Sequence, residues 1–336
     1  DSTVFSRKTN CYTAQGLFTP FMRPKRASLT PSEVARFNAP SCILLDECGM
    51  TPEIPPLEHY SIVPNGSGRG WTGTNRVFRS GETLPLEFVL SHYAEQDLAD
   101  TRLDWSFVTT DGRTLASGGK ELGSQTAGPA KTVERTRVVI PPLTRSTKAV
   151  LTATVTSQTS QAFSASWDFW LFPRTETMAC ARQRAAELGV IIAPSDSSEA
   201  QAAVAAGRPL VSLANQTGRA NAYLGWWWIG SQCGMVVENH PALKYLPYEP
   251  FLSPLLMRIV KEGTPLPVAD VGEKDLIIVG EGGTACSLYL AERKHASGSR
   301  EMLVSGLDLT EETPEGAALL RGLVEYAAGG REGGRP

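Results

Sequence analysis

The sequence predicts a multidomain chain in which an antiparallel β-sandwich is followed by an α/β domain. Three observations carry this. From about residue 59 to 174 apolar residues recur at alternate positions. Turn-forming clusters punctuate that stretch, with no helical spacing between them. Beyond residue 175, short apolar runs alternate with helix-spaced segments. Period-two runs without intervening helices indicate antiparallel strands, and strands alternating with helices indicate an α/β layer. At 336 residues the chain also exceeds a usual domain of roughly 100–200 residues.

Residues 1–58 are interrupted by proline and are expected to form a separate leading segment and linker. Its clearest element is a helix beginning at "SLTPSEVARF". Thr30 is a good N-cap, Pro31 fits the first helical position, and Glu33 completes a capping box. Val34 and Phe37 are three apart and share a face. Pro40 ends the helix, "CILLDE" reads as a short apolar strand, and "MTPEIPPLEH" reads as a linker.

Residues 59–174 carry the sandwich pattern in "LPLEFVLSHY", "RLDWSFVTT", "TRVVIPP", "KAVLTATVT" and "FSASWDFWLFP". The clusters "RSGE", "TTDGRT" and "SGGKELGSQTAG" read as turns between strands. The order resembles an immunoglobulin-like fold without its cysteine pair. Trp105, Trp167 and Trp170 fall inside strands, Trp167 and Trp170 on opposite faces, and one or both are expected in the sandwich core.

In residues 175–330, "TETMACARQRAAELG" reads as a helix closed by Gly189. "DSSEAQAAVAAG" reads as a second helix, capped by Asp196 or Ser197 and closed by Gly207. "VIIAP", "PLVSLAN", "DLIIVG", "CSLYLAERK" and "REMLVSGLDL" read as strands of a largely parallel sheet, and "TPEGAALLRGLVEYAA" as the last helix. Residues 331–336 are an expected disordered tail.

Net charge is −3, which does not favour nucleic acid as a partner. Residues 1–40 carry six basic against two acidic residues, +4, leaving −7 for the rest. The apolar run "LGWWWIG" is far too short to span a bilayer, which takes about 20 residues. The six cysteines show neither C-x-x-C nor zinc spacing to histidine, so no metal site is expected and buried thiols are the default. Cys42 and Cys48 are close enough in sequence to bridge in an oxidising compartment, and Asn65 and Asn215 head glycosylation sequons. A periplasmic or secreted setting is favoured over the cytoplasm.

Three motifs invite chemistry. "VGEGGTAC" matches G-x-G-x-x-A after a strand, but the residues that follow read as another strand. A glycine hairpin, with no dinucleotide and no other cofactor, is the expectation. "IGSQCGMVVENHP" sets Cys233 near Glu238 and His240, yet its flanks fit neither the G-x-C-x-G nor the H-x-E half of an amidotransferase signature. Trp226, Trp227 and Trp228 are consecutive, so not all can face inward. With Trp71 they are candidates for stacking on a sugar or anchoring an interface.

The order of the pieces resembles a known family. "GLFTPFMRPKRASLTPSEVARFNAPSCILL" resembles the segment that closes the catalytic barrel in family-2 glycoside hydrolases of the β-galactosidase type. "FRSGETLPLEFVLSHYAEQDL" and "WDFWLFP" look like the first and last strands of the sandwich that follows it. "GMVVENHPALKYLP", "FLSPLLMRIVKEGTPLP" and "MLVSGLDLTEETPEGAALLRGLVEYA" are similar to that group's accessory α/β domain, of flavodoxin-like, amidotransferase-like fold. The resemblance implies that residues 1–58 are the end of a TIM barrel. It also implies that the two glutamates of a retaining glycosidase, held about 5 Å apart, lie outside the chain, since Asp1 is the only carboxylate before Glu33. No catalytic residue is therefore expected here.

The implied role is a non-catalytic C-terminal part of such an enzyme. Its partner would be a barrel-bearing polypeptide, with carbohydrate at the assembled site and further oligomerisation open. Leu17, Phe18, Phe21 and Met22, with Arg23, Lys25 and Phe37, are the expected contacts to that barrel. The alternatives are a stand-alone carbohydrate- or protein-binding module and an α/β enzyme built on Cys233. Cys233→Ala is expected to leave any activity of the assembled enzyme nearly unchanged in steady-state kinetics. A loss of about a hundredfold, the scale of a lost acid, base or nucleophile, would favour the last alternative.

Overall fold

The computed structural model describes residues 3–6, 11–14, 41–45, 76–92, 96–160, 162–214, 236–250, 253–260, 266–268, 275–282 and 285–329. The helix expected after Thr30 and the tail beyond residue 330 lie outside these. Strands β1 (Thr3–Ser6) and β2 (Cys11–Ala14) pair antiparallel. The rest forms two compact units and is rich in β-strand.

The first unit is a two-sheet sandwich. One sheet has the order β3-β5-β8, from β3 (Ser41–Leu45), β5 (Thr83–His92) and β8 (Gly128–Val139). The other belongs to a five-strand sheet in the order β4-β10-β9-β6-β7, from β4 (Val77–Arg79), β6 (Leu98–Thr109), β7 (Thr114–Gln125), β9 (Thr147–Thr156) and β10 (Phe163–Phe172). Strict alternation aims one face of each strand inward. Leu84, Leu86, Phe88 and Leu90 of β5 are buried, and so are Leu151, Ala153 and Val155 of β9. Phe88 meets Trp105 of β6 at a ring separation of 6.0 Å. β3 lies in the segment expected to close a barrel, but it pairs antiparallel with β5 from Ser41↔His92 to Leu45↔Phe88. The sandwich therefore takes in part of that segment.

The stretch "SGGKELGSQTAG" is not a turn. Most of it is β7, paired along β6 with Trp105↔Gly118 and Asp104↔Gly119. The glycines are there for space. A Cβ on Gly118 would sit 2.7 Å from the Trp105 Nε1, and one on Gly119 would sit 2.4 Å from an Asp104 carboxylate oxygen. Glycine within a strand marks such close approach as often as it marks a turn.

The second unit holds a six-strand path in the order β11-β12-β17-β16-β15-β13. These strands are β11 (Ile191–Pro194), β12 (Leu210–Ala214), β13 (Val236–Val237), β15 (Asp275–Gly282), β16 (Ala285–Lys294) and β17 (Arg300–Ser305). A short β14 (Leu266–Pro267) pairs with β16. β11, β12 and β17 run parallel, whereas β16, β15 and β13 are antiparallel to their neighbours. The largely parallel sheet expected from the sequence is thus only half parallel. The cause is connection length. Two residues link β15 to β16 and five link β16 to β17, while a parallel return takes a dozen or more. "VGEGGTAC" joins antiparallel strands, with Gly282 opposite Ala285, as its sequence context predicts.

Helices cover both faces of this sheet. α1 (Met178–Leu188) is capped by Thr177 and closed by Gly189 in the left-handed region. α2 (Ser198–Ala205) is capped by Ser197. α3 (Pro254–Met257) is a single turn, and α4 (Pro314–Gly329) is the longest helix among the described residues. α4 packs with α1, β12, β17 and a 3₁₀ turn at Pro241–Leu243. α2 packs on the opposite face through Ala200 and Ala203 against Ala193 and Leu210. Arg258 grips fully buried Glu315 in the first turn of α4 with two 2.8 Å hydrogen bonds.

Trp170, expected in the sandwich core, belongs to this second core. Burial along β10 changes from alternating to continuous at Phe169–Phe172, the pattern of a strand covered on both faces. There Trp170–Phe172 pair in parallel with β4 (Val77–Arg79), and the Trp170 indole donates to the Pro247 carbonyl at 2.9 Å. Trp167 is half-buried.

Gly322 lets α4 approach the 3₁₀ turn. A Cβ there would lie 2.1 Å from the Ala242 carbonyl oxygen. Helix propensity alone predicts that Gly322→Ala stabilises by about 1 kcal/mol. The contact reverses the sign, and the substitution is expected to cost about 1–3 kcal/mol, the range of overpacked cores. Urea denaturation of the two proteins measures it, and an unchanged or raised midpoint would contradict this packing.

Candidate functional site

A concentration of polar groups lies at the end of the second unit's sheet, on the α4 face. Strand register builds it. Asp275 of β15 stands directly opposite Glu292 of β16, and Lys294 of β16 stands opposite Arg300 of β17. Like charges directly opposed across strands are destabilising. Here the pairs neutralise one another diagonally. Arg300 Nε lies 2.8 Å from Glu292 Oε1, and Lys294 Nζ lies 3.7 Å from Glu292 and 3.8 Å from Asp275.

Two further elements converge on Glu292, whose side chain is only 3% exposed. Tyr326 of α4 donates its hydroxyl to Glu292 Oε2 at 2.9 Å. His240, which caps the 3₁₀ turn ahead of Pro241, brings Nε2 to 3.7 Å from the same oxygen. The imidazole packs edge-on against the Tyr326 ring at 4.6 Å, and Arg300 lies 4.4 Å over that ring. The groups border a cleft of about 870 Å³ that Val236, Leu276 and Val279 also line. That volume is in the range of small-molecule pockets.

Protonation follows from this packing. Burial pushes the His240 imidazole below its ordinary value, partly offset by Glu292 and Asp275. Burial, with the hydrogen bond to Glu292, pushes the Tyr326 phenol up. His240 Nδ1 accepts the Ala242 amide at 3.2 Å, which assigns the imidazole proton to Nε2. The neutral ring therefore offers the cleft a donor and has no free acceptor with which to act as a base. Glu292 is engaged by Arg300 and Tyr326. As placed, the cluster can hold hydrogen-bonding groups, and His240 and Glu292 are not set as a nucleophile–base pair.

The sequence singled out His240 and Glu238 for their proximity to Cys233. The structure instead brings His240 to Glu292 and Tyr326, and Glu238 borders the same cleft. Glu292, Tyr326, Arg300 and Asp275 were missed because they converge from three strands and a helix. The available signal was "YLAERK", where a glutamate occupies a core-facing strand position. Cys233, Trp71 and Trp226–Trp228 lie outside the described residues. So do the expected barrel contacts Leu17, Phe18, Phe21, Met22, Arg23, Lys25 and Phe37. Among the described residues no group of three or more His, Cys, Asp or Glu is placed to hold a metal ion.

A second buried network joins Ser212, Glu301 and His295. His295 Nε2 lies 2.7 Å from Glu301, and the Ser212 hydroxyl donates to the other carboxylate oxygen. Ser212 is fully buried, and this network ties β12 to β17.

A family profile for a domain of unknown function, DUF8488, matches residues 82–173, the stretch from β5 through β10. No curated protein matches the chain. Solved structures with partial likeness include a β-glucuronidase of Parabacteroides merdae at 13% identity and a TM-score of 0.22, aligned over 41% of this chain and 23% of that one. Others are a protein described as a β-galactosidase from Bacteroides fragilis (11% identity, TM-score 0.21, 26% and 13%) and the sporulation control protein Spo0M of Bacillus subtilis (11%, 0.24, 44% and 53%). The chain spans well under two thirds of each of these, and no function is taken from likeness at this level. No helix among the described residues is long and apolar enough to cross a membrane.

His240 has a testable signature. Because burial lowers its proton affinity in the folded state, the unfolded chain binds the proton more readily. Its contribution to stability is full above the ordinary value of 6.5 and is lost as pH falls through 6.5 towards the lower folded value. His240→Asn keeps a capping acceptor but cannot titrate. The gap in unfolding free energy between wild type and variant, followed by urea denaturation from about pH 8 to about pH 5, is expected to narrow on acidification. A gap independent of pH would contradict this protonation scheme.

Proposed function

We propose that this chain is a non-catalytic C-terminal part of a β-galactosidase-like glycoside hydrolase, completing and stabilising a catalytic barrel carried by another polypeptide. In this reading the first unit is the immunoglobulin-like sandwich that follows the barrel. The second is an amidotransferase-like domain retained as scaffold. The order of the sequence motifs supports the assignment. One structural observation carries the scaffold role. In this cleft His240 Nδ1 is committed to capping a turn, and Glu292 is ion-paired with Arg300 and accepts from Tyr326, an arrangement that holds a buried carboxylate in place and sets up no nucleophile–base pair between them.

Two measurements test this. The purified chain alone is expected to give no turnover of aryl galactosides or glucosides, and Glu292→Gln is expected to lower stability without changing that result. Turnover by the chain that Glu292→Gln abolishes would make the cleft an active site and sink the proposal. Removing residues 1–40, which spares β3, is expected to abolish co-purification with a barrel-bearing polypeptide from the native source. Association that survives the truncation unchanged would place the contact elsewhere.

A further inference from the structure

The cleft of the second unit offers unmet pairings. His240 Nε2 and Glu292 Oε2 are 3.7 Å apart, and Lys294 Nζ and Asp275 Oδ2 are 3.8 Å apart. Both exceed the 2.7–3.2 Å of a hydrogen bond. Each sets a nitrogen donor beside a carboxylate. A group seated between them must accept from one and donate to the other, which a hydroxyl does. An ammonium only donates and a phosphate oxygen only accepts. Charge also disfavours an anion, since Glu238, Asp275 and Glu292 outnumber Lys294 and Arg300. Val236, Leu276 and Val279 line the same cleft, and Val236 is 48% exposed. A ring with hydroxyls along its edges and C–H groups on its faces suits such a mixed lining.

We propose that this cleft is a binding site for a small neutral polyol, of the size and chemistry of a monosaccharide, held by Asp275, Lys294, His240 and Glu292 without being turned over. The assignment is independent of the barrel partnership: binding here needs neither a partner chain nor turnover, so either can fail without the other.

Titration of the full chain with glucose, galactose, mannose and myo-inositol, followed by ligand-detected NMR and calorimetry, tests it. At least one is expected to bind saturably, with a dissociation constant of about 1 mM or tighter. Asp275 and Lys294 have side chains 52% and 64% exposed, so Asp275→Asn and Lys294→Met should fold normally. Denaturation midpoints check that. Each variant is expected to weaken binding about tenfold, the scale of one charge-assisted hydrogen bond. Spermidine and inorganic phosphate are the cationic and anionic controls and are expected not to bind. The proposal is overturned if none of the four polyols binds saturably, if both variants bind like wild type, or if spermidine or phosphate binds in place of the polyols.

Discussion

The second unit depends on the burial of α4. This helix is covered by the sheet, by α1 and by the 3₁₀ turn, and eleven of its sixteen residues are buried. A helix enclosed on three sides cannot spend every enclosed position on bulk. Its sequence therefore places Ala317, Ala318 and Gly322 among Leu319, Leu320, Leu323 and Val324. The small residues bring neighbouring backbones close, and the large ones fill the sheet side. Glu315 is completely buried at its first turn, which is tolerated because Arg258 meets both carboxylate oxygens. Removing one partner of such a pair typically costs about 3–5 kcal/mol.

The polar cleft is a consequence of that burial. With α4 against the sheet, Tyr326 in its last turns reaches Glu292 of β16. With Gly322 admitting the 3₁₀ turn, His240 is brought to the same carboxylate. Burial keeps the imidazole neutral and, with the hydrogen bond to Glu292, the phenol protonated. Geometry and protonation together give a floor of fixed donors and acceptors, suited to recognition rather than to moving protons. The same network adjoins the surface group of Tyr245, Arg321, Lys244 and Glu325 along α4. There burial alone would raise the Glu325 carboxyl, yet the Lys244 and Tyr245 hydrogen bonds hold it below its usual range.

The sandwich rests on a different constraint, cross-strand fit. The Trp105 ring packs on the bare backbone of Gly118, and the Arg102–Asp104 pair lies over Gly119. On the outer face, hydroxyls pair across strands, Thr152 with Ser166 and Thr154 with Ser164. Both serve register, and a one-residue slip of β9 against β6 would turn Leu151 and Val155 outward.

Much of this architecture was legible in the amino-acid sequence. Alternation along "LPLEFVLSHY" and "KAVLTATVT" determined two strands and their inward faces, because period two admits only one pairing of face and core. Thr177, Gly189 and Ser197 marked helix ends through their own side-chain and backbone chemistry. What only the tertiary structure decided were properties of pairs distant in the chain. "SGGKELG" is a strand because it pairs along β6, where Gly118 fits beside Trp105, thirteen residues earlier. Trp170 changes cores because a neighbouring strand covers its second face. β16 runs antiparallel because its connections are too short to cross over. Glu292 is a strand glutamate like any other until β15, β17, α4 and the His240 turn close around it, and no local pattern encodes the meeting of four elements.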